Sequence, residues 1–343
     1  MKYCTRFLLV VATFALLAPQ SALAWGAKGH TLINRLAAQT LPADMPAFVR
    51  MANASSEIGT LGPEEDRLKG AGESWDADND PGHYVDVGDD GTIFGVRLNA
   101  LPPNMNAYEM ALLPEHSTPW RAGYLPYSIV DGFEQLREDF AYWRVDDYGT
   151  RHARSASLRA RFAADRALRE TLTVRDLGVW GHFIGDGCQP LHVTVHFNGW
   201  GHYPNPHDYT QRHIHSLFES EFVDRFVSVA QVRATMSLRL LPSPAHLLSQ
   251  DEIGQLTATY LEGSASAVIP LYKIAALRGF EDGSETAIAF TTRQLARGAD
   301  ELRALSDLAW RNSLYAEIGY PKESVRDILN GRAPLSESVL QTV

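Results

Sequence analysis

GHFIGDGCQPLH, Gly181 to His192, holds two histidines and an aspartate in twelve residues and is broken by a proline. An apolar helical pattern from Val174 to Gly185 runs into it. Its reading decides the fold, because on a helix His182 and Asp186 stand four residues apart and leave the same face near the C-terminal end. Pro190 then ends or turns the helix and delivers His192 back toward that end. One metal ion can touch the first two residues, and the turn supplies a further imidazole.

Working outward, HIHSLFESEF (213–222) opens another helical pattern in which His215 and Glu219 repeat the four-residue spacing. Upstream lie WGAKGH (25–30), PEEDR (63–67) and PGHYVDV (81–87). Single histidines near helix ends are commonly surface residues; the ordered set carries the metal signal. A freed Trp25 can close a five-membered chelate through its α-amino group and its own carbonyl oxygen, with His30 beside it.

Helical patterns dominate the rest. They span His30 to Leu41, Ser128 to Arg144, Ser155 to Glu170, Ile214 to Val229, Ser249 to Leu277 and Glu285 to Leu314. GDDGTIFGVRLNALPP (88–103) and FNGWGHYPNPHDYT (197–210) are rich in Gly, Pro, Asn and Asp and read as loops, the first with room for a short hairpin. The expectation is an all-α chain with long functional loops, without repeats or low-complexity segments.

The 343 residues are 45% hydrophobic, enough to bury a large core. Lys2 and Arg6 precede an apolar run from Phe7 to Ala18, and Ala22 and Ala24 occupy the small positions of a secretory cleavage site. Residues 1–24 are therefore read as a signal peptide and 25–343 as one domain, secreted or periplasmic after cleavage at Ala24. No later stretch approaches spanning length, so neither stable membrane insertion nor an obligate protein partner is expected. Beyond Cys4 in the signal, Cys188 is the only cysteine, which excludes an internal disulfide in the mature chain. A lone cysteine of this kind is usually a small buried hydrophobe.

The chain has 31 basic and 41 acidic residues. Without Lys2 and Arg6 the balance is 29 against 41, a formal charge of −12. That excludes binding nucleic acid through a broad basic face. It does not exclude a phosphodiester held at a cluster of divalent ions, which inverts the local field.

A mature chain starting with Trp, a nearby His, an isolated Asp followed by HYVDV, then HFIGDxxQPLH and a final His-x-x-x-acid resembles the zinc-dependent single-strand nucleases of fungi and plants, the S-one and P-one nuclease family. The same order, less closely, resembles the bacterial zinc phospholipases C. The resemblance implies a compact helical domain with three zinc ions at the bottom of a cleft. The first zinc would take Asp66, His83, His182 and Asp186. The second would take His192, His215 and Glu219. The third would take the Trp25 amine and carbonyl, His30 and the other oxygen of Asp186. Imidazole and carboxylate donors with open positions suit catalytic zinc. The implied reaction is in-line attack of a zinc-bridging hydroxide on a phosphodiester of single-stranded DNA or RNA, with 3′-nucleotidase activity as an extension.

Tyr84 matches an aromatic position of the nucleases, where a ring stacks on a base, and equally suits a core position. Asp86 matches an acid near the attacking water, or partners a ligand histidine. Arg67 contacts phosphate or sits in solvent. With Asp66 and Asp186, Asp86 completes the candidate catalytic acids.

Two departures bear on this reading. LGPEEDRLKGAGESWDADNDPGHYVDV (61–87) lacks the family's Trp-Ala before the first-zinc aspartate, so Asp76 and Asp78 compete with Asp66. Glu219 stands where the fungal nucleases usually carry aspartate and the phospholipases glutamate. Phospholipase C is thus the alternative activity, with phospholipid as substrate, and a non-catalytic exported zinc binder the third reading.

Overall fold

The computed structural model of the chain describes residues 25–69, 72–335 and 337–340; the signal-peptide reading of residues 1–24 lies outside them. Six helices frame the molecule: α1 (Gly26–Gln39), α2 (Ala52–Leu61), α3 (Leu125–His152), α4 (Ala156–Cys188), α5 (Gln250–Ala265) and α6 (Glu285–Asn312). The all-α expectation holds, in one mainly helical domain with long loops. None of the described helices is long and apolar enough to cross a membrane.

Three residues join α3 to α4, and the two lie against each other along their length. Glycines on α3 receive aromatic rings from α4. A side chain at Gly132 would meet the Trp180 ring at 1.9 Å, and one at Gly149 would meet Phe162 at 2.4 Å. Residue numbers that rise on one helix as they fall on the other show an antiparallel pair.

Two helical patterns read as separate, Ser155 to Glu170 and Val174 to Gly185, merge into α4. Thr171 and Thr173 donate their hydroxyls to carbonyls one turn back, at Ala167 and Arg169, so their polar groups are satisfied within the helix. Conversely, Ser249 to Leu277 splits into α5 and a helix over Val268–Ala276. Pro270 has no N–H for the Ser266 carbonyl, so the helix cannot run through. Ser249 and Glu252 form a reciprocal cap at the start of α5.

The hairpin in the 88–103 loop is real: β1 (Thr92–Ile93) pairs antiparallel with β2 (Val96–Arg97). Its two loop residues, Phe94 and Gly95, both have positive φ, 45° and 81°, as the turn that matches strand twist requires. A second hairpin, β3 (Glu317–Ile318) with β4 (Glu323–Ser324), was not expected from the sequence. It packs Ile318, with Val325 and Ile328 beyond it, onto Val145 and Phe162, away from the main core.

α1 lies close on α4 because the contacting face of α4 carries Gly181 and Gly185, while Gly178 lets α2 approach at Leu61 and Ile58. A Cβ at Gly181 would reach 2.2 Å from Asn34 Oδ1, and one at Gly185 would reach 2.6 Å from His30 Nδ1. The buried Asn34 amide uses the closeness, donating to the Ile58 and Gly178 carbonyls at 3.0 and 2.7 Å. The same packing brings His30 beside the end of α4.

Candidate metal centre

Three buried groups of potential ligands occupy the region where α1, α4 and their loops converge: His30 with Asp66 and His182; His83 with His182 and Asp186; and His192 with His215 and Glu219. Within each, the donor atoms lie within 4.8 Å of one another. His30 comes from α1, Asp66 from the short helix Glu64–Leu68, and His83 from the end of the 3₁₀ turn Asp80–His83. His182 and Asp186 end α4, and the turn Pro190–His192 returns His192 to them as the proline suggested. Glu219 sits in a π-helical turn, Leu217–Glu221, a local widening frequent at functional sites.

Backbone carbonyls orient four of the imidazoles. His83 Nδ1 donates to Asp80 at 3.1 Å, His182 Nδ1 to Gly62 at 2.8 Å, His192 Nδ1 to His83 at 2.6 Å, and His215 Nδ1 to Phe197 at 2.9 Å. A carbonyl only accepts, so each Nδ1 carries the hydrogen and each Nε2 turns its lone pair inward. This is the outer support typical of metal-binding histidine. His192 Nε2 and His215 Nε2 stand 3.1 Å apart. Two lone pairs that close repel, yet the spacing suits donors to one tetrahedral ion with bonds of about 2 Å.

Asp186 is the hub. Its Oδ2 lies 3.3 Å from His182 Nε2, and its Oδ1 lies 3.6 Å from both His30 Nε2 and His192 Nδ1. Its two oxygens, both ring nitrogens of His30, the Nε2 atoms of His83 and His182, and Glu219 Oε1 are buried without hydrogen-bond partners. So many buried polar atoms left unpaired in one place would be costly in a fold that did not use them. Divalent cations would satisfy all of these but one His30 nitrogen, since a neutral imidazole ligates through a single nitrogen, and the donor set fits them.

The electrostatics agree. Burial opposes ionisation of Asp186, but His182 and His192 outweigh it and hold the carboxyl well below the usual range. Glu219 is likewise lowered, with burial opposed by His215 and His192. Burial pushes His30 and His83 down, toward the neutral form that ligates. For His182 burial is outweighed by Asp186 and Asp66 together, and for His192 by Asp186 and Glu219 together, so both are raised.

Asp66 is buried, with oxygens 3.9 Å from His30 Nε2 and 3.8 Å from His182 Nε2. Asp76 and Asp78 lie on the helix Glu73–Asn79 and join none of the three groups. Trp25 is fully buried where α1 begins. Its indole donates to the Gly185 carbonyl at 2.9 Å and contacts Cys188 Sγ at 3.2 Å, and its carbonyl accepts the Gly29 N–H at 3.1 Å. Cys188 is inert packing, its thiol pushed up to about 12 by burial.

Above the groups opens a cleft of about 610 Å³ lined in part by His83, His192 and His215. Tyr84 and Asp86 line it too; burial pushes the Asp86 carboxyl up to about 7, against the pull of His192. Arg67 does not line it: its side chain is 73% exposed and pairs with Glu64 at 2.9 Å. Lys69 does line it, with its Nζ 2.8 Å from Asp66 Oδ1.

Sequence reasoning missed Lys69, although its spacing of three from Asp66 was a usable helical signal. It also missed Gln189. That amide is fully buried, accepts the Leu191 N–H at 2.6 Å, and holds its Nε2 3.0 Å from Glu219 Oε2 and 3.2 Å from His215 Nε2. The loop histidine His196 serves structure, stacked on Trp200 at 3.7 Å with its Nδ1 on the Trp200 carbonyl. In comparisons with family models, curated proteins and solved structures, the chain has no match.

Proposed function

We propose that the chain is an exported zinc-dependent phosphodiesterase of the single-strand nuclease type, holding three zinc ions and hydrolysing single-stranded DNA and RNA. The observation that carries this reading is Asp186, whose two oxygens face different histidines and so suit a carboxylate shared between ions. The ligand order along the chain, from WGAKGH to HIHSLFE, supports it, as does a cleft opening directly onto the donor groups.

His83, His182, Asp186 and Asp66 would hold one ion, and His192, His215 and Glu219 the second. His30, the second oxygen of Asp186 and the freed Trp25 terminus would hold the third. Bound zinc supplies Lewis-acid polarisation of the phosphate and acidification of water. The chain's own residues do the rest. Lys69 pairs with Asp66 at the cleft floor and holds that carboxylate in place. Asp86, on the cleft wall, can accept a proton from water or return one to the departing oxygen. Tyr84 presents a ring at the wall.

Glu219 favours the second reading, a phospholipase C. The deciding experiment measures initial hydrolysis of single-stranded DNA by zinc-loaded protein beginning at Trp25, with phosphatidylcholine assayed beside it. Rapid, chelator-sensitive DNA cleavage with little lipid turnover is expected. The reverse pattern assigns the same centre to lipid.

A further inference from the structure

The rim of the cleft carries more exposed aromatic surface than folding requires. Trp120 and Phe197 are each 52% exposed and Tyr203 is 44% exposed, and all three line the cleft. Large apolar groups left in water around a concave site mark ligand contact.

Trp120 and Arg121 belong to the helical turn Pro119–Ala122. That turn is fastened to the segment following His83. The Asp86 N–H donates to the Ala122 carbonyl at 2.8 Å, the Leu125 N–H donates to the Tyr84 carbonyl at 3.1 Å, and the Tyr84 hydroxyl donates to the Trp120 carbonyl. Backbone bonding thus carries Trp120 and Arg121 next to the metal ligands.

Two cations, Lys69 and Arg121, line the cleft. Lys69 is committed to Asp66. The Arg121 guanidinium lies 5.3 Å from the Phe94 ring centroid and 3.4 Å from the His116 carbonyl, and among the described residues no carboxylate pairs with it. An indole face in water beside an uncompensated guanidinium suits a ligand with a flat π-system and an anionic oxygen. An aromatic rim alone would also suit a quaternary ammonium headgroup, but Arg121 would repel it.

We propose that Trp120 and Arg121 form a nucleotide subsite beside the metal centre, the indole stacking on a base and the guanidinium binding a phosphate of the strand other than the one cleaved. The subsite rests on the phosphodiesterase reading and adds a specificity element to it: bases flanking the scissile bond are felt at Trp120.

The test compares hydrolysis of octathymidylate with that of an octamer of the same backbone lacking bases, for the zinc-loaded wild type, Trp120→Ala, Trp120→Phe and Arg121→Gln. Wild type should prefer the oligomer with bases. Trp120→Ala should shrink that preference roughly tenfold, the scale of one lost stacking contact, and Trp120→Phe should recover most of it. Arg121→Gln should raise KM on both oligomers alike and flatten the salt dependence of binding by about one unit of log–log slope. An unchanged preference in Trp120→Ala overturns the subsite while leaving the nuclease reading intact.

If wild type cleaves neither oligomer, the phosphodiesterase reading fails. The subsite is then judged by fluorescence anisotropy with phosphorothioate octathymidylate: equal affinity for wild type and Trp120→Ala, or no binding, overturns it. Faster turnover of phosphatidylcholine vesicles than of octathymidylate, lost in Trp120→Ala, would assign the rim to a lipid headgroup instead.

Discussion

His182 Nε2 lies 3.3 Å from Asp186 Oδ2, one turn along the same helix, and the opposite oxygen of Asp186 faces His30 and His192. A carboxylate shared between two ions, as proposed for Asp186, cannot be lost from one ion alone. Asp186→Asn should therefore lower bound zinc by more than His215→Ala, which removes a donor from a single group, and should cost at least about a hundredfold in activity. Metal counting on the purified variants checks this; equal losses would sink the shared role.

Gln189 supports the second group without being one of its ligands. Its amide steers Glu219 and its carbonyl is anchored on the Leu191 N–H. Gln189→Leu should weaken zinc binding about 10- to 100-fold, the usual effect of losing an outer partner. Competition against a chromogenic chelator reads the affinity, and wild-type affinity would show the amide to be dispensable.

Gly185 allows His30 to touch α4. A methyl there would lie 2.6 Å from His30 Nδ1, on a ring with no free space to move into. Gly185→Ala should cost about 1–3 kcal/mol and also lose metal. Gly254→Ala in α5 is the control, because nothing lies within 4 Å of the added methyl. It should be neutral or stabilising by up to about 1 kcal/mol. Thermal melts of the two proteins should move in opposite directions.

Zinc affinity should fall on acidification. Asp186 raises the pKa values of His182 and His192, and both imidazoles must be neutral at the nitrogen that ligates. Protons therefore compete with the metal more strongly there than at an ordinary histidine. Isothermal titration at several pH values should show proton release that grows as pH drops, and chelator should lower Tm by linkage. A Tm indifferent to chelator would count against a metal-stabilised fold.

Asp146, buried in α3, is pushed up to about 9 by burial first and then by Asp165, with Arg169 and Arg166 pulling the other way. An unfolded aspartate titrates near 3.9, so between these values the folded chain keeps a proton that the unfolded chain has released. This contribution to stability is complete below about pH 4 and is lost as pH rises toward 9. Asp146→Asn should flatten that decline and raise Tm at pH 8, as denaturation across pH 5–9 would show. An unchanged slope would remove Asp146 as its source.

Much of the molecule is determined by the sequence alone, because helix period and residue chemistry are local properties. The apolar period marks α1 and α6 to within a few residues. The four-residue spacings His182–Asp186 and His215–Glu219 put each pair on one helical face, and Pro190 turns His192 back. Local patterns do not carry what depends on distant partners. That the helix runs on through 171–173 goes with the long glycine-lined contact between α4 and α3. The buried position of Asp66, against the separate helix of Asp76 and Asp78, follows from where the chain after α2 crosses α4. Arg67 and Lys69 are two residues apart with the same charge, but Arg67 lies on the helix Glu64–Leu68 and faces solvent, while Lys69 follows it in extended backbone and reaches Asp66 and the cleft. Gln189 stands inside the HFIGDxxQPLH motif but its role is not written there, and Trp120 and Arg121 have no distinctive spacing at all; only the tertiary structure, which sets Gln189 against Glu219 and fastens Pro119–Ala122 beside Tyr84, gives them a place at the cleft.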